Sequence, residues 1–308
     1  MCRALVYLGQ PVLINDLLYE PDSSLVKQSF MPKKLKMLNL AGFGMMAWDP
    51  ASHNPSQPYR YASTELPVFD RNLKSLSEKI QARCVLAHVR GVTYSTKATI
   101  SNQNTHPFNF PNCSLAMAHN GDLYKIRDIL PTLKQSIRPE MVEQIQGTTD
   151  SEWIYALILS QLDDPYTASD VDEIKRAVEE SLRIISAARE RHEISISSSV
   201  NLFITDGDTL VAVRYCFDFG CYKTSSPEEV HEANFNFLSL WYTTGREFGF
   251  HEGEWKMIGG SDTADSIIVA SEPLTEDTSS WLEVPEYSML SATTGARGPV
   301  VSIHYLDV

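Results

Sequence analysis

Cys2-Arg-Ala-Leu-Val-Tyr-Leu8 is the stretch that decides the fold. Ala4, Leu5, Val6, Tyr7 and Leu8 are apolar on both sides of a two-residue period. Alternate side chains of a strand point to opposite faces, so a run without a polar side predicts a strand covered on both. Gly9-Gln-Pro11 reads as its end, and Val12 to Ile14 as a return strand in a hairpin. Residues 15–37 read as irregular, with Pro21, Pro32 and a small solvated basic cluster of Lys33, Lys34 and Lys36. Similar compact strands are predicted at Met45 to Trp48, after Asn39-Leu-Ala-Gly42-Phe-Gly44, at Cys84 to Arg90, and at Leu115 to His119.

A helix is predicted from Asp70-Arg-Asn-Leu73, with Leu73, Leu76 and Ile80 at helical spacing. Two more are predicted at Asp150 to Leu162, starting at Thr149 or Asp150, and at Ser169 to Arg191. Val200 to Thr205 and Thr209 to Tyr215 read as a hairpin around Asp206-Gly207-Asp208. Further strands are expected at Phe237 to Thr243, Ser266 to Ala270, Trp281 to Val284 and Val300 to Leu306. Strands thus cluster at both ends and helices in the middle. That order predicts an α+β fold of two packed sheets with helices outside, rather than a βαβ wheel.

With 308 residues and 43% hydrophobic content the chain can bury a sizeable core. A net charge of −13 and a pI near 5.1 argue against a nucleic-acid footprint and against an anionic membrane surface. Five cysteines at irregular positions do not read as a disulfide framework. Cys216 and Cys221 lack a second pair at zinc-ligand spacing, so no metal is expected. Met1 to Gln10 lacks the basic flank and long apolar run of a secretory leader. No apolar run reaches the ~18 residues of a membrane span. The expected compartment is the cytoplasm.

Cys2 directly follows the initiator methionine. If Met1 is removed, one residue carries both a thiol and a free α-amine. The thiolate is the attacking species in cysteine chemistry. An α-amine titrating near ~7.7–8.0 can serve as its base at neutral pH. Polar clusters at strand ends follow: His88-Val-Arg90-Gly-Val-Thr93, Asn104-Thr-His106-Pro-Phe108 and His119-Asn120-Gly121-Asp122. Another, Gly147-Thr-Thr-Asp150-Ser-Glu152, opens a helix. Each has an ordinary structural explanation. Asn-Gly commonly marks a hairpin turn, Thr149 or Asp150 can simply cap a helix, and Arg90 can be a surface charge.

In this order behind an N-terminal Cys, the clusters resemble the class II glutamine amidotransferases of the N-terminal-nucleophile hydrolase superfamily. Met1-Cys-Arg-Ala and Asn104-Thr-His-Pro-Phe108 resemble its stand-alone members, and Ala270-Ser-Glu-Pro-Leu-Thr275 extends the likeness weakly into the second half. The resemblance implies a four-layer αββα sandwich of two mostly antiparallel sheets, formed by residues 2–308 as one domain. It implies that Cys2 attacks a γ-glutamyl amide, with Asn120 and Gly121 as the oxyanion hole. Arg90 and Thr93 would hold the substrate carboxylate, Asp150 its ammonium, and His106 would line the pocket. His88 and His119 are expected to pack behind these groups. No cofactor is implied. The implied substrate is glutamine or another small γ-glutamyl compound, and any acceptor of released ammonia would be another chain, a synthase or a peptidase subunit. Gly91 and Ala41 depart from the family pattern, where a bulky aromatic and an acidic residue are expected. A non-catalytic binding protein on the same scaffold, and a hydrolase of a non-glutamyl amide, are the other readings.

Overall fold

The computed structural model describes residues 2–34, 38–92, 99–230, 239–260, 264–295 and 298–308. Two sheets dominate it. The first runs in the order β13 (Leu282–Glu283), β9 (Trp241–Gly245), β12 (Ser266–Ala270), β1 (Arg3–Leu13), β4 (Gln81–Val89), β2 (Phe43–Trp48), β3 (Tyr59–Ser63). The second runs β15 (Gly298–Tyr305), β14 (Ser288–Gly295), β7 (Thr209–Arg214), β6 (Ser198–Thr205), β5 (Ala116–Gly121), with β8 (Cys216–Phe217) also on β6. Every pairing described in them is antiparallel. A separate hairpin joins β10 (Glu247–His251) to β11 (Glu254–Ile258).

The period-two pattern of the strands sorts their side chains into layers. Ala4, Val6 and Leu8 of β1 join Cys84 and Leu86 of β4, Met46 and Trp48 of β2, and Ile267 and Val269 of β12. These meet Ala116, Ala118, Phe203, Leu210 and Ala212 of the second sheet in one apolar layer between the sheets. Leu5 and Tyr7 point the other way. They pack with Val85, Ala87 and Phe43 under α1 (Ile14–Leu18), α2 (Leu25–Gln28) and α3 (Arg71–Ser77). On the far side, Met117, Leu202 and Ile204 pack against α4 (Ile126–Leu133), α5 (Pro139–Gln144), α6 (Asp150–Gln161) and α7 (Val171–Arg191). The expected αββα order is therefore present. β1 lacks a polar face because it has apolar neighbours on both.

The local signals fall close to the observed ends. Asp70, Thr149 and Asp170 cap α3, α6 and α7 by accepting backbone N–H bonds, each worth about 1 kcal/mol. Other expectations are corrected. β1 does not turn back at Gly9 but continues to Leu13, with a register irregularity between Leu8 and Val12. The predicted hairpin is a distortion within one strand, since Val12 and Leu13 still pair with Ala82 and Gln81 of β4. Ile14, expected to end the return strand, begins α1, and the stretch read as irregular holds the rest of α1 and all of α2; Ile14, Leu17, Leu18, Leu25 and Val26 are buried. These helices barely exceed one 3.6-residue turn, so no apolar spacing repeats within them. Asn120 and Gly121 do not form a turn; both lie within β5. Residues 231–238, where one strand was expected to begin, and 35–37 lie outside the described residues. Among the described residues no helix is long and apolar enough to cross a membrane.

Candidate functional site

Strand parity brings several of the predicted residues to one end of the inter-sheet layer. Cys2 continues the parity of Ala4, Val6 and Leu8. His88 and Arg90 continue that of Cys84 and Leu86, and Asn120 that of Ala116 and Ala118. Antiparallel pairing of Arg3 with Val89 sets Cys2 beside Arg90. The Gly91 N–H donates to Cys2 Sγ at 3.3 Å, and the thiol lies 3.6 Å from the Gly91 carbonyl. Cys2 and Arg90 are both buried.

Arg90 is fixed at both ends. Its backbone N–H donates to Gly42 and its carbonyl accepts from Ala41. Its Nη1 donates to the Thr99 carbonyl at 2.9 Å. Asn104 Nδ2 donates to the same carbonyl at 2.9 Å and to Thr148 Oγ1 at 3.1 Å, while the Thr148 N–H returns to Asn104 Oδ1. This ties Arg90 to the loop that opens α6. Burial lowers the Arg90 pKa, and the negative charges of Cys2 and Asp150 oppose that shift. The guanidinium thus lies in the field of both groups. A guanidinium has five N–H donors in a planar fork, and among the described residues one of them is used, on the Thr99 carbonyl.

Asp150 begins α6. Its Oδ2 accepts from the Leu123 N–H at 2.6 Å, and its Oδ1 from the Ser151 N–H at 2.8 Å. Ser151 Oγ lies 3.2 Å from Asp150 Oδ1 and 2.9 Å from His119 Nδ1. A carboxylate offers about four acceptor sites, so this one is well anchored and still has capacity for a cation. Burial and the charge of Asp150 together raise the pKa of Asp122.

The hydrogen bonding of β5 decides where the Gly121 N–H points. Met117 exchanges both backbone bonds with Phe108, on the open edge of the strand. The Asp122 N–H instead donates to Ser199 of β6. With a period of two, the Gly121 N–H faces the open edge, like that of Met117. No larger residue fits there: a Cβ would lie 2.0 Å from the Ser199 carbonyl oxygen and 2.3 Å from His119 Nε2. Asn120 Nδ2 donates to Ser271 Oγ at 3.0 Å, and its Oδ1 is buried without a partner among the described residues.

His106 and His88 are buried side by side, with His106 Nδ1 3.0 Å from His88 Nε2. Burial, with the positive charge of Arg90 adding to it, pushes His88 down to about 3. Burial and the neighbouring histidines lower His106 as well. Both rings are neutral near pH 7, which suits packing and hydrogen bonding rather than charge. Gly44 makes room for this segment, since a Cβ there would lie 2.2 Å from the His106 carbonyl oxygen. Thr93 lies outside the described residues.

Other residues at this end were not assigned roles from sequence. Arg3 Nη1 donates to the Cys2 carbonyl at 2.9 Å, and Arg3 Nε pairs with Glu272 at 3.2 Å, both side chains being buried. Glu272 also accepts from the Lys34 N–H. Glu152 accepts from the N–H groups of Gln146 and Gly147. The separation of Arg3 from Glu272 along the chain hides their pairing; the Ala270-Ser-Glu segment was its only sequence trace.

The family model described as glutamine amidotransferases class-II matches residues 61–225. That span includes Arg90, His106, Asn120, Gly121 and Asp150 and begins after Cys2. The probable glutamine amidotransferase DUG3 of Saccharomyces cerevisiae is 33% identical over 100% of this chain and 86% of its own length. The gamma-glutamyl-hercynylcysteine sulfoxide hydrolase of Mycolicibacterium smegmatis is 28% identical over 52% of this chain and 63% of its own. Among solved structures, a glutamine aminotransferase class-II domain protein from Silicibacter pomeroyi superposes with a TM-score of 0.57. It is 18% identical and covers 99% of this chain and 100% of its own. The glutamine phosphoribosylpyrophosphate amidotransferase of B. subtilis gives 0.54 at 18% identity, over 98% of this chain and 49% of its own. At that identity the two structures speak to the fold.

Proposed function

Because the chain belongs to the class II glutamine amidotransferase family, we propose that it hydrolyses a γ-glutamyl amide through a thioester on Cys2. The observation that carries the proposal is the position of the Cys2 thiol, 3.3 Å from the Gly91 N–H and in the electrostatic field of the buried Arg90. With Met1 removed, the α-amine of Cys2 takes the thiol proton, directly or through a water. Sγ attacks the γ-carbonyl carbon, and negative charge collects on its oxygen. The second proton of Asn120 Nδ2 and the Gly121 N–H receive that charge. One such donor is typically worth roughly 10²–10³ in rate. The C–N bond then breaks, and the α-ammonium returns its proton to the leaving ammonia or amine. Water hydrolyses the thioester to release glutamate.

Arg90 holds the α-carboxylate of the glutamyl group by a planar two-point contact that lysine does not reproduce. Asp150 faces its ammonium, Thr93 assists at the carboxylate, and His106 lines the pocket. Residues 2–308 act as one domain, a reading supported by β12 pairing with β1 across most of the chain length. The gamma-glutamyl hydrolase among the relatives supports a substrate larger than glutamine, and the amidotransferases support glutamine itself.

Cys2→Ala tests the proposal. Hydrolysis of glutamine and γ-glutamyl dipeptides, followed as ammonia or free amine, should fall to background with unchanged thermal unfolding. Turnover near the wild-type rate would remove the nucleophile assignment.

A further inference from the structure

Ser271 immediately follows β12 and is buried at the end of the layer between the sheets. The apolar layer ends here, with Ala4, Val269 and Ala118 among its members. Ser271 is engaged there through its N–H, its carbonyl and its hydroxyl oxygen. Its N–H donates to the Ala4 carbonyl at 2.9 Å, and its own carbonyl accepts from Ser239 Oγ at 2.8 Å. Its Oγ accepts twice, from the Ala4 N–H at 3.0 Å and from Asn120 Nδ2 at 3.0 Å. Ala4 is two residues from Cys2 in the first sheet, and Asn120 belongs to the second. One hydroxyl therefore links the strand of the nucleophile to the residue read as the oxyanion donor.

Stability alone does not account for this arrangement. Replacing both members of a buried hydrogen-bonded pair by apolar groups of similar shape can be nearly neutral. Here the polar pair is kept, and Asn120 Oδ1 is left buried without a partner among the described residues. Such an orphan costs stability and calls for an explanation beyond folding. The geometry of the amide supplies one. Nδ2 carries two protons. The bond to Ser271 uses one and fixes the plane of the amide, so the other has a set direction.

We propose that Ser271 is the positioning residue of the oxyanion site: its Oγ holds Asn120 Nδ2 so that the remaining proton meets the developing charge on the substrate. The inference rests on the reading of Asn120 given above. Ser271 touches neither substrate nor the reacting atoms. Its effect belongs to the transition state, so it should appear in kcat rather than in KM.

A double-mutant cycle tests it, using the full chain and whichever of glutamine and γ-glutamyl dipeptides the wild type turns over. Asn120→Ala should lower kcat by about 10²-fold or more. Ser271→Ala should lower it by a similar factor, with KM within about threefold of wild type. The double variant should be no slower than Asn120→Ala alone, because the hydroxyl has nothing left to orient. Ser271→Cys, close in size with a weak donor and acceptor, should repeat the pattern and keeps the cycle interpretable if alanine lowers the unfolding temperature. Losses that multiply to about 10⁴ would mean that Ser271 acts elsewhere, through Ala4, and would overturn the proposal. Wild-type kcat in Ser271→Ala, with Asn120→Ala impaired, would overturn it while leaving the oxyanion reading intact. Wild-type kcat in Asn120→Ala would overturn the oxyanion reading itself, and the proposal with it.

Discussion

Gly121→Ala is a small change with a large predicted effect. The added Cβ would lie 2.0 Å from the Ser199 carbonyl oxygen and 2.3 Å from His119 Nε2, where ordinary contact begins at 3.4 Å. The shorter gap is deficient by about 1.4 Å. The carbonyl is not free to swing away, since it accepts the Asp122 N–H at 3.1 Å and lies 3.2 Å from His119 Nε2. Strand β5 must therefore shift, carrying the Gly121 N–H with it. A displacement of ~1 Å in a catalytic geometry can cost roughly 10²-fold, and loss of an oxyanion donor about 10²–10³-fold. The expected kcat is at least about 100-fold lower, with KM nearly unchanged. Overpacking of this kind should also destabilise the fold by about 1–3 kcal/mol. Steady-state hydrolysis of a γ-glutamyl substrate and thermal unfolding measure both effects. Glu190→Ala, on the exposed face of α7, is the control and should match the wild type in both. A Gly121→Ala variant with wild-type kcat would refute the placement of this N–H in the chemistry.

Two further outcomes are expected. Arg90→Lys keeps the charge but loses the fork, so kcat/KM should fall by about 10–10²-fold; a small thiol reagent should still alkylate Cys2 at the wild-type rate, and unchanged kcat/KM would remove Arg90 from substrate binding. The His88 imidazole takes up a proton near 6.5 when free and only near 3 in the fold, so the unfolded chain binds more protons between those values. The stability its neutral form confers is complete above about 6.5 and is lost as pH falls toward 3, by up to about 1.4 kcal/mol per pH unit. The unfolding temperature should drop between pH 7 and pH 4.5, more gently in His88→Gln; equal slopes would mean that His88 is not the proton acceptor.

The layers were legible because the strands carry their burial in their parity. Cys2 to Leu8 has no polar face, and both faces are covered. The same alternation could have placed Cys2, Arg90 and Asn120 on facing sides of one layer. What sequence could not supply was pairing across distance. Nothing near Arg3 announces Glu272, and nothing near Asn120 announces Ser271. Local turn chemistry misled where tertiary pairing prevailed. Asn120-Gly121 reads as a hairpin turn, yet pairing with Asn201 and Val200 holds it in β5. Gly9-Gln-Pro11 reads as a strand end, yet β4 keeps its pairing with β1 on both sides of it. Helices α1 and α2 escape the reading because five and four residues make little more than one turn, so no apolar spacing repeats.

The central claim is that the N-terminal residue of the active protein is both nucleophile and base. Intact-mass spectrometry of the purified, active protein, before and after incubation with a diazo-ketone analogue of glutamine, tests it most directly. The account predicts a starting mass lacking Met1 and a single adduct, localised by fragmentation to Cys2, that appears in step with loss of activity. An active protein that quantitatively retains Met1, or inactivation with the adduct on Cys84, Cys113, Cys216 or Cys221, would contradict it.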